Sequence, residues 1–320
     1  MDPWYALREI RKHGTNPQWW RKRFLTHIVS RYYRLNPPSS DPLVTQDWDN
    51  ALLLDACRYD LFEDVLSDYP LPGTLGKRRS AGSGTPEYLK KNFEGRQLHD
   101  TVYITANPYV NTKLSRETFY DVVPVWKHDW DEELQTVPPE AVRDCVLEAN
   151  DKYPNKRIIA HFNQPHVPFI GDVRLDGRKV SAIRQEALGK ERPDPSERIP
   201  TPFDQLAAGG RTYDEVYEAY RSNLVRVLPT VTELLDALPG LTAVTSDHGN
   251  AFGELARPFP IKVYGHPLGI LIPALTEVPW HVSQNGDRKQ VTAGNPAQTS
   301  HNDDPSEDVQ HRLRQLGYAE

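Results

Sequence analysis

The segment AVTSDHGNAFGE, residues 243–254, decides how this chain is read. It opens as a short apolar strand, ends on the adjacent side chains of Asp247 and His248, and turns at Gly249. A polar strand end before a turn is the plain reading. The other is a metal site at the carboxyl edge of a sheet, since carboxylate and imidazole together suit a divalent cation. On that reading Gly249 lets the chain turn away with no side chain in the cleft.

Earlier in the chain the same design occurs. In DNALLLDACRYDLF (49–62), Leu52, Leu53 and Leu54 make a short apolar strand with Asp55 at its end. TVYITAN (101–107) alternates like a strand, and KRIIAHFNQ (156–164) reads as a strand ending near His161. VPPEAVRDCVLEANDKY (137–153) and YDEVYEAYRSNLVRVLPTVTELLDALPG (213–240) read as helices, the second interrupted by Pro229. KRRSAGSGTPE (77–87) reads as a polar loop leading into a helix, with Thr85 as N-cap and Pro86 at N1. Residues 171–212, polar and rich in Pro and Gly, read as an insertion or flap over the site; EDVQHRLRQLGY (307–318) reads as a terminal helix. Strands alternating with helices predict an α/β fold, a mainly parallel sheet covered on both faces. In such sheets ligands gather at the carboxyl ends of the strands, where Asp55, Asp247 and His248 fall.

The chain has 320 residues, 38% hydrophobic and 26% charged, which is enough to bury a sizeable core. Its two cysteines, Cys57 and Cys145, are too few and too far apart for a zinc cage and are expected as buried free thiols. No apolar run approaches the roughly 20 residues a spanning helix needs. The start, MDPWYALREIRKHG, lacks the apolar core of a secretory leader. These features predict a cytoplasmic chain, one able to sit peripherally at the inner face of a membrane.

Charge is uneven. Residues 1–44 form a basic, aromatic-rich arm and linker ahead of a domain spanning 45–320. Up to residue 40 the arm holds Arg8, Arg11, Lys12, Arg21, Lys22, Arg23, Arg31 and Arg34 against Asp2 and Glu9, whereas the whole chain is formally at −6. From Trp20, the apolar positions Phe24, Ile28, Val29 and Tyr32 repeat at helical spacing. Such a stripe fits an anionic membrane surface or packing on the chain's own domain. Nucleic acid is not an expected partner, since no recognisable nucleic-acid-binding module follows.

LLLDACRYD, SGTPEYL, HFNQPHVPF, VTSDHGNAFGE, YGHPLG and RLRQLGY occur in an order and spacing that resembles the alkaline phosphatase–sulfatase superfamily, over roughly residues 48–318. The likeness is greatest to sulfatase-like proteins of the phosphoglycerol and phosphoethanolamine transferase type. It implies an alkaline-phosphatase-like fold and an enzyme that hydrolyses or transfers a phosphate ester through a hydroxyl nucleophile and a covalent phospho-enzyme. Sulfate-ester chemistry and a catalytically silent anion- or glycan-binding role are the alternatives. It also implies a metal held by Asp55, Thr85, Asp247 and His248. Zinc or manganese is expected there, with magnesium or calcium as alternatives. Thr85 is the expected nucleophile, Ser83 the runner-up and Ser80 third; capping the helix is Thr85's plain role. His161, His166 and His266 match positions that bind substrate or a second metal in relatives. The implied partners are phosphorylated or sulfated small molecules, glycans or lipid-linked substrates. Two departures stand out. No C-x-P-S-R occurs, so formylglycine formation is not expected, and the Asp-x-x-x-His spacing of some second metal sites is missing.

Overall fold

A parallel strand buried on both faces has to be apolar on both faces, and NALLL is. In this computed structural model, which describes residues 3–175, 184–185, 187–189 and 199–297, that segment is β1 (Asn50–Leu54). Alternation along it sends Leu52 and Leu54 into one core and Ala51 and Leu53 into another. The first core is built with the helices Tyr59–Asp68, Pro139–Lys152 and Tyr213–Ala237; the second includes Tyr88, Leu89 and Phe93 of the helix Thr85–Phe93.

The other strands are β2 (Thr74–Arg79), β3 (Leu98–Thr105), β4 (Phe119–Pro124), β5 (Arg157–Phe162), β6 (Gly240–Thr245), β7 (Ala251–Leu255), β8 (Lys262–Gly265) and β9 (Glu277–Asn285). Seven of them form one sheet in the order β2-β9-β6-β1-β5-β3-β4. From β6 to β4 every pairing is parallel, while β9 runs antiparallel to both β6 and β2. The α/β expectation of a mainly parallel sheet between helices is met. β7 and β8 form a separate ribbon beside it.

Several local expectations change. Lys77–Arg79 belong to edge strand β2 rather than to a loop. β9 was not expected as a strand, because Pro279 interrupts EVPWHVSQN. Pro229 lies inside a helix that runs on to Ala237. Cys57 is buried, but Cys145 is only half-buried. Leu43, expected in a linker, is fully buried and its N–H donates to the Asn92 side chain at 2.7 Å. The terminal helix expected at 307–318, and much of the flap expected over 171–212, lie outside the described residues. Within the flap region, Pro202–Ala208 is a helix closed by a Thr201–Asp204 capping box.

The basic arm packs on the body. Its chain runs through the helix Pro17–Phe24, a π-helical turn at Leu25–Val29 and the helix Ser30–Leu35. Leu25, Val29 and Tyr33 are buried against Ala256, Val263, Ile270 and Ile272. Phe24 and Tyr32 meet Phe259 edge-on. The π turn displaces the expected stripe, so Ile28 points outward, 49% exposed.

Candidate active site

Four polar residues lie at or just past the carboxyl ends of adjacent parallel strands. Asp55 follows β1, Asp247 and His248 follow β6, and His161 is the second-last residue of β5. Register places His161 beside Leu53, on the sheet face that the helix Thr85–Phe93 covers. All four are buried, as is Thr85.

Thr85 is the first residue of its helix, and Gly84 takes the N-cap position without any side-chain cap. The capping role expected of Thr85 is therefore not what its hydroxyl does. Instead Thr85 Oγ1 donates to Asp247 Oδ2 at 2.7 Å and lies 3.5 Å from His248 Nε2. The other two hydroxyls are occupied elsewhere. Ser83 Oγ donates to Glu87 at 2.8 Å, and Ser80 Oγ donates to the backbone carbonyl of Asp247. The first helical turn offers few free donors, since Pro86 has no N–H and the Glu87 N–H is bonded to the Gly84 carbonyl.

Each group of the cluster is held from behind. Asp247 Oδ1 accepts the N–H groups of Ala56 at 3.1 Å and His248 at 2.9 Å. Ala56 sits at φ 61°, a left-handed conformation that a residue with a Cβ adopts at a cost, and this aims its N–H at Asp247. Asp55 Oδ2 accepts from Asn107 Nδ2 at 2.8 Å, and His161 Nδ1 pairs with the Tyr103 hydroxyl at 3.0 Å. His248 Nδ1 lies 2.9 Å from the Gly249 carbonyl. A carbonyl only accepts, so Nδ1 carries the proton, and in the neutral ring Nε2 presents a lone pair to the cluster.

That arrangement fits a cation. The bare Nε2 of His248 stands 3.5 Å from both Asp55 Oδ1 and Asp247 Oδ2, and His161 Nε2 stands 3.8 Å from Asp247 Oδ2. Asp55 Oδ1 and His161 Nε2 are buried with no hydrogen-bond partner. Ligand atoms of Asp55, His161 and Asp247 lie within 4.8 Å of one another. Electrostatics agree. Burial, and then the charge of Asp247, push the Asp55 carboxyl well above its ordinary range despite the Asn107 bond. Burial would also raise Asp247, but His248, His161 and the Thr85 hydroxyl hold it below its usual value. Burial lowers His161 to about 4, with Asp247 opposing and His248 adding to the effect. Two buried carboxylates facing bare imidazole nitrogens are what a divalent ion relieves.

His166 and His266 flank this cluster: the His266 ring lies 4.6 Å from that of His248, and both histidines line a cleft of about 160 Å³ with Asp55, Thr85, Asn107 and Trp130. Their Nε2 atoms are 3.0 Å apart, and His166 Nδ1 meets the Val167 carbonyl at 2.7 Å. The sequence reading grouped His161 with these two; the structure places it with the aspartates, because strand alternation points it into the sheet's buried edge. Asn107 and Tyr103 were missed. The only trace of Asn107 in the sequence is a polar residue just after an alternating strand. The Arg58 guanidinium bridges Asp60 at 2.5 Å and Glu254 at 2.6 Å. Gly249 is needed for a different reason from the one expected. A Cβ there would strike the Ala274 carbonyl, so it is close packing that excludes a side chain.

Neither a protein-family model nor a curated protein sequence matches this chain. Solved structures do resemble it. The integral membrane lipooligosaccharide phosphoethanolamine transferase A of Neisseria meningitidis is 13% identical with a TM-score of 0.45, covering 87% of this chain and 58% of its own length. The C-terminal periplasmic domain of a phosphoethanolamine transferase from Campylobacter jejuni is 13% identical with a TM-score of 0.43, covering 74% and 78%. A 2-O GAG sulfatase is 10% identical with a TM-score of 0.47, covering 78% and 66%. These similarities are distant and say nothing of this chain's reaction. The cytoplasmic expectation is not upheld, since the chain resembles a periplasmic domain and part of an integral membrane protein. That expectation had rested on apolar runs and on the chain's first residues, neither of which fixes a compartment. Among the described residues, no helix is long and apolar enough to cross a membrane.

Proposed function

We propose that this protein is a metal-dependent hydrolase or transferase of phosphate esters, with Thr85 as nucleophile. The observation that carries this reading is the 2.7 Å bond from the Thr85 hydroxyl to Asp247, inside a buried cluster of carboxylates and imidazoles that fits a cation. Asp55, Asp247, His248, His161 and the Thr85 hydroxyl would hold the ion. When bound it supplies charge that makes the hydroxyl more acidic and offsets the negative charge developing on the phosphoryl oxygens.

The protein's own groups account for the remaining steps. Thr85 Oγ1 attacks phosphorus, its proton passing to Asp247 Oδ2, and the bond to the leaving oxygen breaks. His166 and His266, which line the cleft, are placed to give that oxygen a proton. A water, or the hydroxyl of an acceptor, then attacks the phosphothreonine and regenerates Thr85. Burial of the cluster keeps bulk water from Asp247 while the transfer proceeds. The superfamily likeness suits a diester, or a phosphate linked to a lipid or sugar.

The test is turnover of an aryl phosphodiester by zinc- or manganese-loaded protein, beside Thr85→Ala and beside the matching aryl sulfate. Metal-dependent activity that falls by about a thousandfold or more in the variant is expected. Full activity in the variant would discard Thr85. Turnover of the sulfate alone would move the reaction to sulfate esters.

A further inference from the structure

The N-terminal arm has two sides, and the proposed reaction uses neither. One side is packed on the body. Leu25, Val29 and Tyr33 are buried there, Lys22 pairs with Asp204 at 2.9 Å, and the Arg21 guanidinium lies 4.7 Å over the Tyr264 ring. The attachment is tight beside the loop that carries His266. Ile270 shares a core with Leu25 and Val29, and a Cβ on Gly269 would come within 3.0 Å of the Ser30 side chain. The other side faces outward. Ile28, Arg31 and Leu35 follow one another at intervals of three and four residues, so they share that side. Trp20 and Leu35 are 47% and 69% exposed, and Trp20, Phe24, Ile28 and Ile261 wall an apolar groove of about 690 Å³. Arg11, Lys12, Arg31 and Arg34 are exposed too, and none of the four is paired with a carboxylate among the described residues.

We infer that this outer side docks on an anionic lipid bilayer, its cations against the headgroups and Trp20, Ile28 and Leu35 in the apolar layer beneath them. The inference goes beyond the phosphoester reading and is independent of it, since it places the molecule and not its substrate. Charge complementarity specifies the occupant. Residues 1–40 hold eight Lys or Arg against Asp2 and Glu9, whereas the whole chain is formally at −6. A negative surface therefore attracts the arm and repels the remainder. The exposed apolar side chains separate a bilayer from other polyanions. Phosphates of a nucleic acid would satisfy Arg31 and Arg34 but leave Ile28 and Leu35 in water, whereas a bilayer interface takes both kinds. Trp20 suits the apolar layer because its N–H already donates to the Gly14 carbonyl at 2.8 Å, so its ring enters with no donor left unmet. Since the arm is packed on the body, docking also fixes the body's orientation on the surface.

The test is sedimentation of the full chain with vesicles of pure phosphatidylcholine, and with vesicles of equimolar phosphatidylcholine and phosphatidylglycerol, in about 0.1 M salt. Binding is expected to the anionic vesicles only, each outward cation contributing about fivefold in affinity. Arg31→Gln combined with Arg34→Gln is therefore expected to weaken binding about twentyfold. Ile28→Ser combined with Leu35→Ser is expected to weaken it about tenfold or more. All four positions are exposed, so both double variants should keep the native melting temperature. Failure to pellet with the anionic vesicles overturns the inference, as does equal binding to the neutral ones or native affinity in either double variant. Duplex DNA held as tightly as the anionic vesicles overturns it in favour of a polyanion. Arm-dependent self-association without vesicles overturns it in favour of a second copy of the chain, whose acidic body would then be the partner.

Discussion

The floor and the rim of the cleft use the same side-chain type in opposite ways. On the floor, His161 and His248 are fully buried and fixed at their second nitrogen by Tyr103 and by the Gly249 carbonyl. At the rim, His166 and His266 are half-buried, sit on loops and meet each other at 3.0 Å. Floor histidines stand at strand ends, where the sheet sets their position before any ligand arrives. At the rim, His166 Nδ1 meets the Val167 carbonyl at 2.7 Å and the His266 ring lies 4.6 Å from that of His248. The floor imidazoles are held by a buried tyrosine and a buried backbone carbonyl, while the rim imidazoles meet each other at their Nε2 atoms nearer solvent.

The largest test of that contrast is Asp247→Asn. Asn keeps the shape but loses the charge and half the acceptor capacity, so the floor should lose its bound metal and turnover should drop by about a thousandfold. Metal stoichiometry measured beside activity checks it; a fully metallated, active variant would break the contrast. Next comes His266→Ala, expected to lower turnover by roughly a hundredfold while metal content stays at the native level. Loss of metal in that variant would make the rim part of the floor. The smallest effect concerns pH. Without metal, the raised Asp55 holds a proton that the unfolded chain would release near pH 4, so in this group the metal-free fold loses stability as pH rises toward the raised value. Metal binding must expel that proton. Zinc affinity is therefore expected to increase by up to about tenfold per pH unit between His161's value of about 4 and the raised value of Asp55. Competition with a chromophoric chelator measures it, and a flat profile would mean Asp55 is already ionised.

The floor was largely legible in the sequence and the rim only in part. Asp55, Asp247 and His248 follow short apolar strands, and a buried parallel strand advertises itself as an apolar run whose first polar residue marks the carboxyl edge. The hydroxyl was less clear, because a threonine before Pro86 looks like a cap from sequence alone and only the structure shows its bond to Asp247. Asn107 and Tyr103 support neighbours brought in by sheet order, which no local pattern encodes. β2 and β9 were lost for a different reason. TLGKRR and EVPWHVSQN lie toward one edge of the sheet, pair antiparallel and show water on one side, so they carry none of the apolar continuity that revealed β1 and β6. The stripe on the arm was seen, but the π turn at Leu25–Val29 shifted which residues it buries.

That packing has a practical consequence. Anyone trimming this chain for expression would be tempted to start near residue 45, where a basic, proline-containing stretch gives way to the first strand. Such a cut removes Leu25, Val29 and Tyr33 and would leave Ala256, Val263, Ile270 and Ile272 facing solvent, along with the Arg257 carbonyl that the Tyr33 hydroxyl now meets at 2.6 Å. The shortened product would carry a sticky face some 200 residues away in sequence from the missing piece, and its poor behaviour in the tube would be blamed on the wrong end of the molecule.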